Sequence, residues 1–144
     1  DFPEWELHCI GTGDLWKERM IHPKIIHHGF LQPHELTPHL VDAAAFVMPS
    51  KKEPWGVVLH EMAISGLPLI ASYQVGAATA HLRDAENGWA CAESSLKRVL
   101  KQFIATSEVQ VQQMGHHSHQ LGIQNAPRQW VKTLFRLTAS VSDG

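Results

Sequence analysis

AFVMPSKKEPWGVVLHEMAISGLPLIAS, residues 45–72, decides the fold of this chain of 144 residues. Two short apolar runs, residues 45–49 and 67–71, have the composition of strands that are buried on both faces. The residues between them are long enough for a helix that crosses over the sheet, with Gly66 and Pro68 marking the turn back. The stretch therefore predicts a βαβ unit with two parallel strands.

The start of the predicted helix has the features of an anion site. Pro54 suits a first turn, and Gly56 lets the backbone approach a ligand closely, so we expect the helix to begin near Gly56. The amides of Gly56, Val57 and Val58 would then lack partners within the helix and lie at the positive end of its dipole. Such a helix start at the carboxyl end of a parallel strand commonly binds phosphate.

Two glutamates flank this helix start. Glu53 lies in the preceding loop, and Glu61 shares a helix face with Val57 because residues four apart stack on one another. Both carboxylates can accept hydrogen bonds from hydroxyl groups. An alternative interpretation makes Glu53 a solvated loop charge and Glu61 a first-turn acid that complements the helix dipole.

The spacing of these residues resembles the signature of a known enzyme family. Residues 53–61, EPWGVVLHE, are similar to the E-x7-E motif of the family 4 glycosyltransferases, which are retaining GT-B enzymes of the group 1 type. Residues 63–72, AISGLPLIAS, resemble the segment that follows this motif, and Glu86-Asn87-Gly88-Trp89 resembles the family's acidic-N-G-hydrophobic turn. The resemblance covers about residues 5–137.

The resemblance implies the fold class and the domain organisation. We expect a Rossmann-like three-layer α/β/α domain with a mostly parallel sheet, the C-terminal half of a GT-B fold without its first strand. Residues 1–144 would form one nucleotide-sugar-binding domain, of which residues 93–144 are the closing helices. The family's C-terminal lobe normally opens with a G-R-L…K-G segment whose Arg and Lys neutralise the diphosphate. Because this sequence begins after that point, we expect the isolated chain to bind a donor weakly and to be inactive.

The resemblance also implies roles for single residues. The amides of Gly56, Val57 and Val58 would hold the diphosphate, Glu61 would bind the ribose, and Glu53 would contact the donor sugar. Glu53 and Glu61 are therefore the expected catalytic residues. Further expected donor-binding residues lie in glycine-containing loops, one of them beside the nucleotide base: Gly11, Gly13, Gly29, Phe30 and Gly76.

Two of these loops have weaker support. A tight strand-to-helix turn explains Gly11-Thr12-Gly13 as well as a ligand site does. The loop around Gly76 departs from the family's G-G and P-E pattern. Ala77 replaces the second glycine, and the acidic residue is replaced by His81 or by nothing.

The function implied for the full-length enzyme is hexosyl transfer in glycan biosynthesis. The donor would be a UDP-, GDP- or ADP-sugar. Its sugar would be transferred to an acceptor with retention of the anomeric configuration and without a metal or other cofactor. The acceptor would bind to an N-terminal lobe of the same enzyme. The alternative is a non-catalytic Rossmann-like nucleotide-binding or interaction module that keeps the motif only for folding.

Composition argues against several other classes of protein. The 12 basic and 14 acidic residues are dispersed and give a net charge of -2, so no nucleic-acid footprint is predicted. No apolar run approaches the roughly 18 residues of a membrane span, and no targeting segment is recognisable. Cys9 and Cys91 lie in predicted strands, where free thiols pack as small hydrophobes. We therefore expect a cytoplasmic protein, with peripheral membrane association of the full-length enzyme as an open alternative.

The elements that flank the central unit follow from periodicity and from glycine and proline positions. Pro33 and Pro38 restrict any helix between them, so we expect a short helix confined to residues 39–44. Asp14 is the expected cap of the first helix, and Ser94 or Ser95 that of the helix after the last strand. The predicted strands are residues 5–11, 24–29 and 89–92, and the other predicted helices are residues 14–20, 94–104, 108–121 and 127–137.

Eleven histidines raise the question of a metal site. The densest groups are His27-His28 and His116-His117-Ser118-His119. Neighbouring histidines on a helix point in different directions, and no HExxH or CxxC pattern accompanies them. We therefore predict a solvated histidine cluster and no metal site. His60, beside Glu61, is expected to pack rather than to catalyse.

Overall fold

The computed structural model describes residues 2–125, which fall into two compact units. One unit ends at Asp42 and the other begins at Ala43. Both are built from parallel strands and helices, which confirms the predicted α/β class. A single domain over residues 1–144 stays a prediction, and the helix expected at 127–137 lies outside the described residues.

The first unit contains one pair of parallel strands and one helix. Strand β1 (Leu7–Ile10) leads through a 3-10 turn (Asp14–Glu18) to strand β2 (Ile25–Gly29), and helix α1 (Pro33–Val41) follows. Leu7 lies opposite Ile25, but the register shifts after Cys9, so that Ile10 lies opposite Gly29 and His28 is the extra residue of β2. No residue from 2 to 42 is buried.

Helix α1 is longer and begins earlier than the short helix expected at 39–44. Pro33 occupies the first helical position, where its missing N–H has no intrahelical partner to lose. Gln32 and Glu35 form a reciprocal capping box with each other's backbone amides. The cap and the favourable first residue offset the one helical hydrogen bond that Pro38 removes. The prediction that the two prolines confine the helix to residues 39–44 was therefore wrong.

Of the two predicted caps, Asp14 is wrong, whereas Ser95 stands at the predicted N-cap position without making the capping bond. Asp14 is the first residue of the 3-10 turn rather than its cap, and Gly13 precedes it without a capping side chain. Ser95 precedes helix α4 (Leu96–Ile104), but its side chain makes no capping hydrogen bond. A short 3-10 turn, Glu93–Ser95, leads into α4 instead.

The second unit confirms the predicted βαβ arrangement. Three parallel strands lie in the order β3 (Phe46–Met48), β4 (Leu69–Ser72) and β5 (Gly88–Cys91). Helix α2 (Val57–Ile64) crosses from β3 to β4, and the short helix α3 (Ala78–His81) crosses from β4 to β5. Every residue of β4 is buried, whereas β3 is only partly buried, so burial on both faces was predicted correctly for β4 alone.

The turn before β5 is held by a buried asparagine and an obligatory glycine. The Asn87 side chain accepts a hydrogen bond from the Arg83 amide and donates to the His81 carbonyl oxygen at 2.9 Å. A Cβ at Gly88 would collide with the backbone of Leu69, because β4 and β5 approach closely there. Asn87 therefore closes the turn, and Gly88 lets the edge strand β5 lie close to the central strand β4.

The last described helix, α5 (Glu108–Gln124), packs against α2 through small residues. Gly115, Ser118 and Gly122 are buried along one side of α5. A Cβ at Gly122 would lie 2.7 Å from the backbone nitrogen of Ile64, and a Cβ at Gly115 would collide with the carbonyl oxygen of Gly66. Ser118 accepts a hydrogen bond from the Asn87 side chain at 3.0 Å, which ties α5 to the turn before β5.

We expect Gly115→Ala to lower the free energy of unfolding, although alanine is the better helix former by about 0.8–1 kcal/mol. The added methyl group would force the backbones of α5 and Gly66 apart, and such overpacking typically costs about 1–3 kcal/mol. Urea denaturation of both proteins would measure the difference. Gln113→Ala, at an exposed position of the same helix, is the matched control and should change stability by less than about 0.5 kcal/mol. A Gly115→Ala protein as stable as the parent would contradict this account of the helix contact.

Candidate functional site

The loop before α2 is joined to the loop after β4 by a ladder of backbone hydrogen bonds. The Glu53 amide donates to the Gln74 carbonyl oxygen at 3.2 Å, and the Gly76 amide donates to the Glu53 carbonyl oxygen at 3.1 Å. The Ala77 amide donates to the Trp55 carbonyl oxygen at 2.7 Å. Both loops follow parallel strands, so the ladder holds residues 53–56 at the carboxyl edge of the sheet, where ligands of such sheets bind.

Gly76 has a structural reason to be glycine. A Cβ at this position would collide with the carbonyl oxygen of Pro54. The close approach of the two loops therefore depends on it, as expected for a loop that admits a neighbouring backbone. Its predicted contact with a donor stays a prediction.

The amino end of α2 presents unpaired backbone donors. Gly56 precedes the helix with a φ of +89°, in the left-handed region that favours glycine. Within residues 2–125, no hydrogen-bond acceptor meets the amides of Gly56, Val57 and Val58, and no side chain caps the helix. The first turn also contains no acidic residue. The helix start near Gly56 is thus confirmed, and the positive end of its dipole has no acidic residue within the first turn, although Glu53 lies in the loop beside it.

The two predicted carboxylates differ in their surroundings. Glu53 is partly buried, and its Oε1 accepts a hydrogen bond from the Trp55 amide at 3.4 Å. Glu61 is exposed, and no other described side chain contacts its carboxylate through a hydrogen bond or an ion pair. Because α2 begins at Val57, Glu61 lies beyond the first turn, and its interpretation as a first-turn acid is wrong.

Two exposed aromatic residues border this edge of the sheet, and the sequence analysis did not single them out. Trp55 is 50% exposed in the loop before α2, and Tyr73, directly after β4, is 68% exposed. Large aromatic side chains are usually at least partly buried. An aromatic residue in a loop that follows a predicted parallel strand is the signal that would have identified both.

His81 lies beneath this loop rather than in it. Its side chain is 2% exposed, its ring stacks on that of His60 with centroids 4.1 Å apart, and the Trp55 ring meets it edge-on at 6.4 Å. Burial, and then the charges of His60 and Arg83, lower the pKa of His81 to about 4. His81 therefore supports the loop from inside and does not replace the acidic residue of the family pattern as a ligand contact.

His60 has the packing role that was predicted for it. Its Nε2 lies 2.9 Å from the carbonyl oxygen of Gly122, so the imidazole joins α2 to α5. It is partly buried between these helices and the ring of His81. This position accounts for the residue without a part in catalysis.

The candidate residues of the first unit lie in two neighbouring loops. The Gly11 amide donates to the Gly29 carbonyl oxygen at 2.7 Å, and both glycines have positive φ values, +116° and +74°. Gly13 is extended, and Phe30, directly after β2, is exposed. The structure thus brings Gly11 and Gly29 together, and the donor contacts of all four residues stay a prediction.

A surface groove in the described part of the second unit lies away from this edge. It has a volume of about 480 Å³ and is lined by residues 65–68 together with Val111, Gly115, His116 and His119 of α5. Residues 65–68 precede β4, so the groove lies at the amino end of the sheet, opposite Glu53 and Gly56. The volume of this groove therefore does not identify the site that residues 53–61 indicate.

The histidines of α5 point in different directions, as predicted. His117 Nδ1 lies 3.2 Å from the Glu86 carbonyl oxygen, His119 contacts the Ile64 carbonyl oxygen, and His116 pairs with Gln120 on its own helix. A different set of three histidines, all in the first unit, does converge: His8, His28 and His39.

A match to a family model identifies the family to which the chain belongs. The family model described as "Glycosyl transferases group 1" matches residues 1–108. The chain belongs to the group 1 glycosyltransferases. This membership confirms the resemblance that rests on residues 53–72. No curated protein matches the chain.

Solved structures similar to this group 1 glycosyltransferase chain show its fold. TarM superposes with a TM-score of 0.74 at 15% identity, over 92% of this chain and 28% of TarM. Sucrose-phosphate synthase from Thermosynechococcus elongatus gives 0.74 at 19% identity, over 94% of this chain and 39% of that protein. The pneumococcal O-GlcNAc transferase GtfA gives 0.72 at 19% identity, over 99% of this chain and 31% of GtfA. The predicted Rossmann-like GT-B domain fold is confirmed.

The group 1 chain spans only about a third of the length of these proteins, 28% to 39%. None of the helices in residues 2–125 combines the length and the apolar character that crossing a bilayer requires.

Because of the lowered pKa of His81, we expect the free energy of unfolding to decrease as the pH falls from about 6.5 to about 4. The unfolded chain takes up a proton at this residue below about pH 6.5, whereas the folded chain resists it down to about pH 4. The unfolded state therefore binds more protons in this window, and the free energy of unfolding decreases by up to about 1.4 kcal/mol per pH unit.

Urea denaturation at several pH values would measure this dependence in the parent and in His81→Leu, which should have the flatter curve. His116→Gln, at an exposed histidine, is the control and should follow the parent. Parallel curves for the parent and His81→Leu would contradict the assignment to His81.

Proposed function

We propose that this group 1 chain is the donor-binding part of a retaining hexosyltransferase of glycan biosynthesis. It binds a nucleotide-diphosphate sugar, with UDP, GDP or ADP as the nucleotide, and the full-length enzyme transfers the sugar with retention of the anomeric configuration. One observation carries the proposal: three unpaired amides at the start of α2 lie between two carboxylates with the E-x7-E spacing.

The diphosphate binds to the amides of Gly56, Val57 and Val58. These donors and the positive end of the helix dipole suit an anion, and within the described chain no carboxylate occupies the first turn of α2 to compete for them. The ladder to residues 74–77 holds the loop in place, so little rearrangement is needed when the ligand binds. The solved structure of GtfA contains UDP and GlcNAc, which supports a nucleoside diphosphate as the ligand class.

The two carboxylates bind the polar groups on either side of the diphosphate. Glu61 accepts hydrogen bonds from the ribose hydroxyls, and its exposed carboxylate is free of other described partners for this purpose. Glu53 contacts the hydroxyls of the donor sugar from the loop, where the Trp55 amide already orients its carboxylate. Gly76 completes the proposed donor site of the second unit. Donor contacts of Gly11, Gly13, Gly29 and Phe30 in the first unit are proposed separately, on the family resemblance alone.

The reaction needs no metal at this site. The acceptor hydroxyl attacks the anomeric carbon from the side of the leaving group, the bond from that carbon to the phosphate oxygen breaks, and the leaving phosphate takes the acceptor's proton. Negative charge develops on the departing diphosphate, where the start of α2 stabilises it. The acceptor binds to an N-terminal lobe of the full-length enzyme, which we place in the cytoplasm with peripheral membrane contact as an alternative.

A non-catalytic nucleotide-binding or interaction module is the second candidate. The loop after β4 favours it, because Ala77 is buried where the family has a second glycine, and His81 points into the core. Titration of the full-length protein with UDP, GDP and ADP, followed by an assay with the matching nucleotide sugars, separates the two candidates. Binding with sugar transfer supports the transferase, and binding without transfer or hydrolysis supports the module.

We expect Glu61→Ala to weaken binding of the donor by roughly ten- to a hundredfold in the full-length protein, because a hydrogen bond to a charged group is worth about 1.5–3 kcal/mol. Calorimetric titration with the nucleotide sugar would measure the change. Glu108→Ala removes an exposed glutamate from the start of α5 and should leave donor affinity unaltered. Equal affinity of Glu61→Ala and the parent, with both folded, would remove Glu61 from the site.

Glu53→Gln should lower kcat more than it lowers thermal stability. The amide oxygen of glutamine can still accept the Trp55 N–H, so the loop keeps its structure, while the negative charge beside the donor sugar is lost. Steady-state kinetics and a thermal melt on the same preparation would test this. A large fall in the melting temperature with unchanged kcat would show that Glu53 serves folding instead.

A further inference from the structure

Three histidines from three different elements of the first unit converge. His8 comes from β1, His28 from β2 and His39 from α1, and one ring nitrogen from each lies within 4.8 Å of the others. His8 Nδ1 lies 2.9 Å from His28 Nε2, and the rings of His28 and His39 are 4.2 Å apart between centroids. The residues are 20 and 11 positions apart in sequence, so only the fold brings them together.

The backbone explains why the rings meet. The register shift after Cys9 makes His28 an extra residue in β2, which displaces it from regular pairing with β1. The capping box of Gln32 and Glu35 fixes the start of helix α1. His39 lies about 1.7 turns after Pro33, the first helical residue, and this position brings its ring to the other two.

A carboxylate orients the first of these histidines. Glu6 Oε2 lies 3.5 Å from Nε2 of His8, the nitrogen that faces away from the cluster. Glu6 in turn accepts a hydrogen bond from Lys24 Nζ at 3.1 Å, which fixes the position of its carboxylate. A proton on Nε2 of His8 then faces the carboxylate and leaves Nδ1 available as a ligand toward the other two rings. Carboxylate–histidine pairs of this kind commonly orient metal-binding imidazoles.

We propose that His8, His28 and His39 bind one Zn²⁺ ion through three imidazole nitrogens. Tetrahedral zinc with Zn–N bonds of about 2.0–2.1 Å places its nitrogens roughly 3.3–3.4 Å apart. The observed separations, from 2.9 Å up to 4.8 Å, bracket this value, so small ring rotations suffice. His8 is exposed and the other two rings are partly buried, which leaves the fourth position open to water.

The ion would act as a cross-link within the first unit. No residue from 2 to 42 is buried, so β1, β2 and α1 have little apolar core to hold them together. Small units of this kind often depend on a bound metal. Zinc would join both strands to the helix through side chains that the fold already brings together.

The test is a zinc titration of protein purified without a tag and treated with a chelator. We expect one equivalent of Zn²⁺ to bind with micromolar affinity or better and to raise the melting temperature. X-ray absorption of the zinc-loaded protein should show three imidazoles with nitrogens at about 2.0–2.1 Å from the metal. No binding at 100 μM Zn²⁺, or a first shell with fewer than three imidazoles, would overturn the proposal.

Matched variants locate the site. His39→Ala should weaken zinc binding by on the order of a hundredfold or more, and Glu6→Gln, which removes the orienting carboxylate, by about ten- to a hundredfold. His34→Ala, on the same helix as His39, and His116→Ala, on α5, should bind zinc like the parent. Circular dichroism of each metal-free variant checks that it is folded. Loss of zinc in His34→Ala or His116→Ala equal to that in His39→Ala would show that the ion binds elsewhere.

Discussion

The proposed donor site depends on the hydrogen-bond ladder between residues 53–56 and 74–77. Without it, the loop before α2 would be a surface segment with several accessible conformations, and the start of α2 would not have a fixed neighbour. The ladder forms only because Gly76 lets the backbone of Pro54 approach it without a Cβ between them. The proposed phosphate donors thus owe their position to a residue that precedes α3, not to one in their own helix.

The packed core of the second unit fixes the elements that carry this ladder and the start of α2. β4 is buried throughout, α5 lies close against α2 through Gly115 and Gly122, and Asn87 joins the turn before β5 to α5. His60 and His81 fill the space between α2 and α3 beneath Trp55. The proposed site therefore rests on packed elements, which suits residues that must keep a fixed orientation in the proposed transfer reaction.

Local signals account for what was predicted correctly from sequence. The βαβ unit, the start of α2 and the turn at Asn87-Gly88 are each encoded within a few neighbouring residues, by apolar runs and by glycine positions. Helix α1 was misassigned because prolines were treated as breakers, whereas Pro33 stands at the one helical position that favours it.

The remaining features depend on residues that are distant in sequence. The role of Gly115 is set by Gly66, and that of Gly76 by Pro54. His28 meets His8 and His39 only through a strand register and a helix position that no local pattern contains. For the same reason, the sequence placed His81 with the loop around Gly76, although its ring is buried and stacks on His60 of α2.

The lack of buried residues between 2 and 42 has a consequence for how the two units respond to solvent. A unit that buries little apolar surface also exposes little when it opens. The free energy of its opening should therefore depend only weakly on denaturant concentration. The strands of the second unit bury far more, and their opening should be steeply sensitive to the same denaturants. Hydrogen exchange would then separate the backbone amides of the described residues into two classes. Those of β1 and β2 would exchange through local openings, and those of β4 only when the whole core of the second unit unfolds.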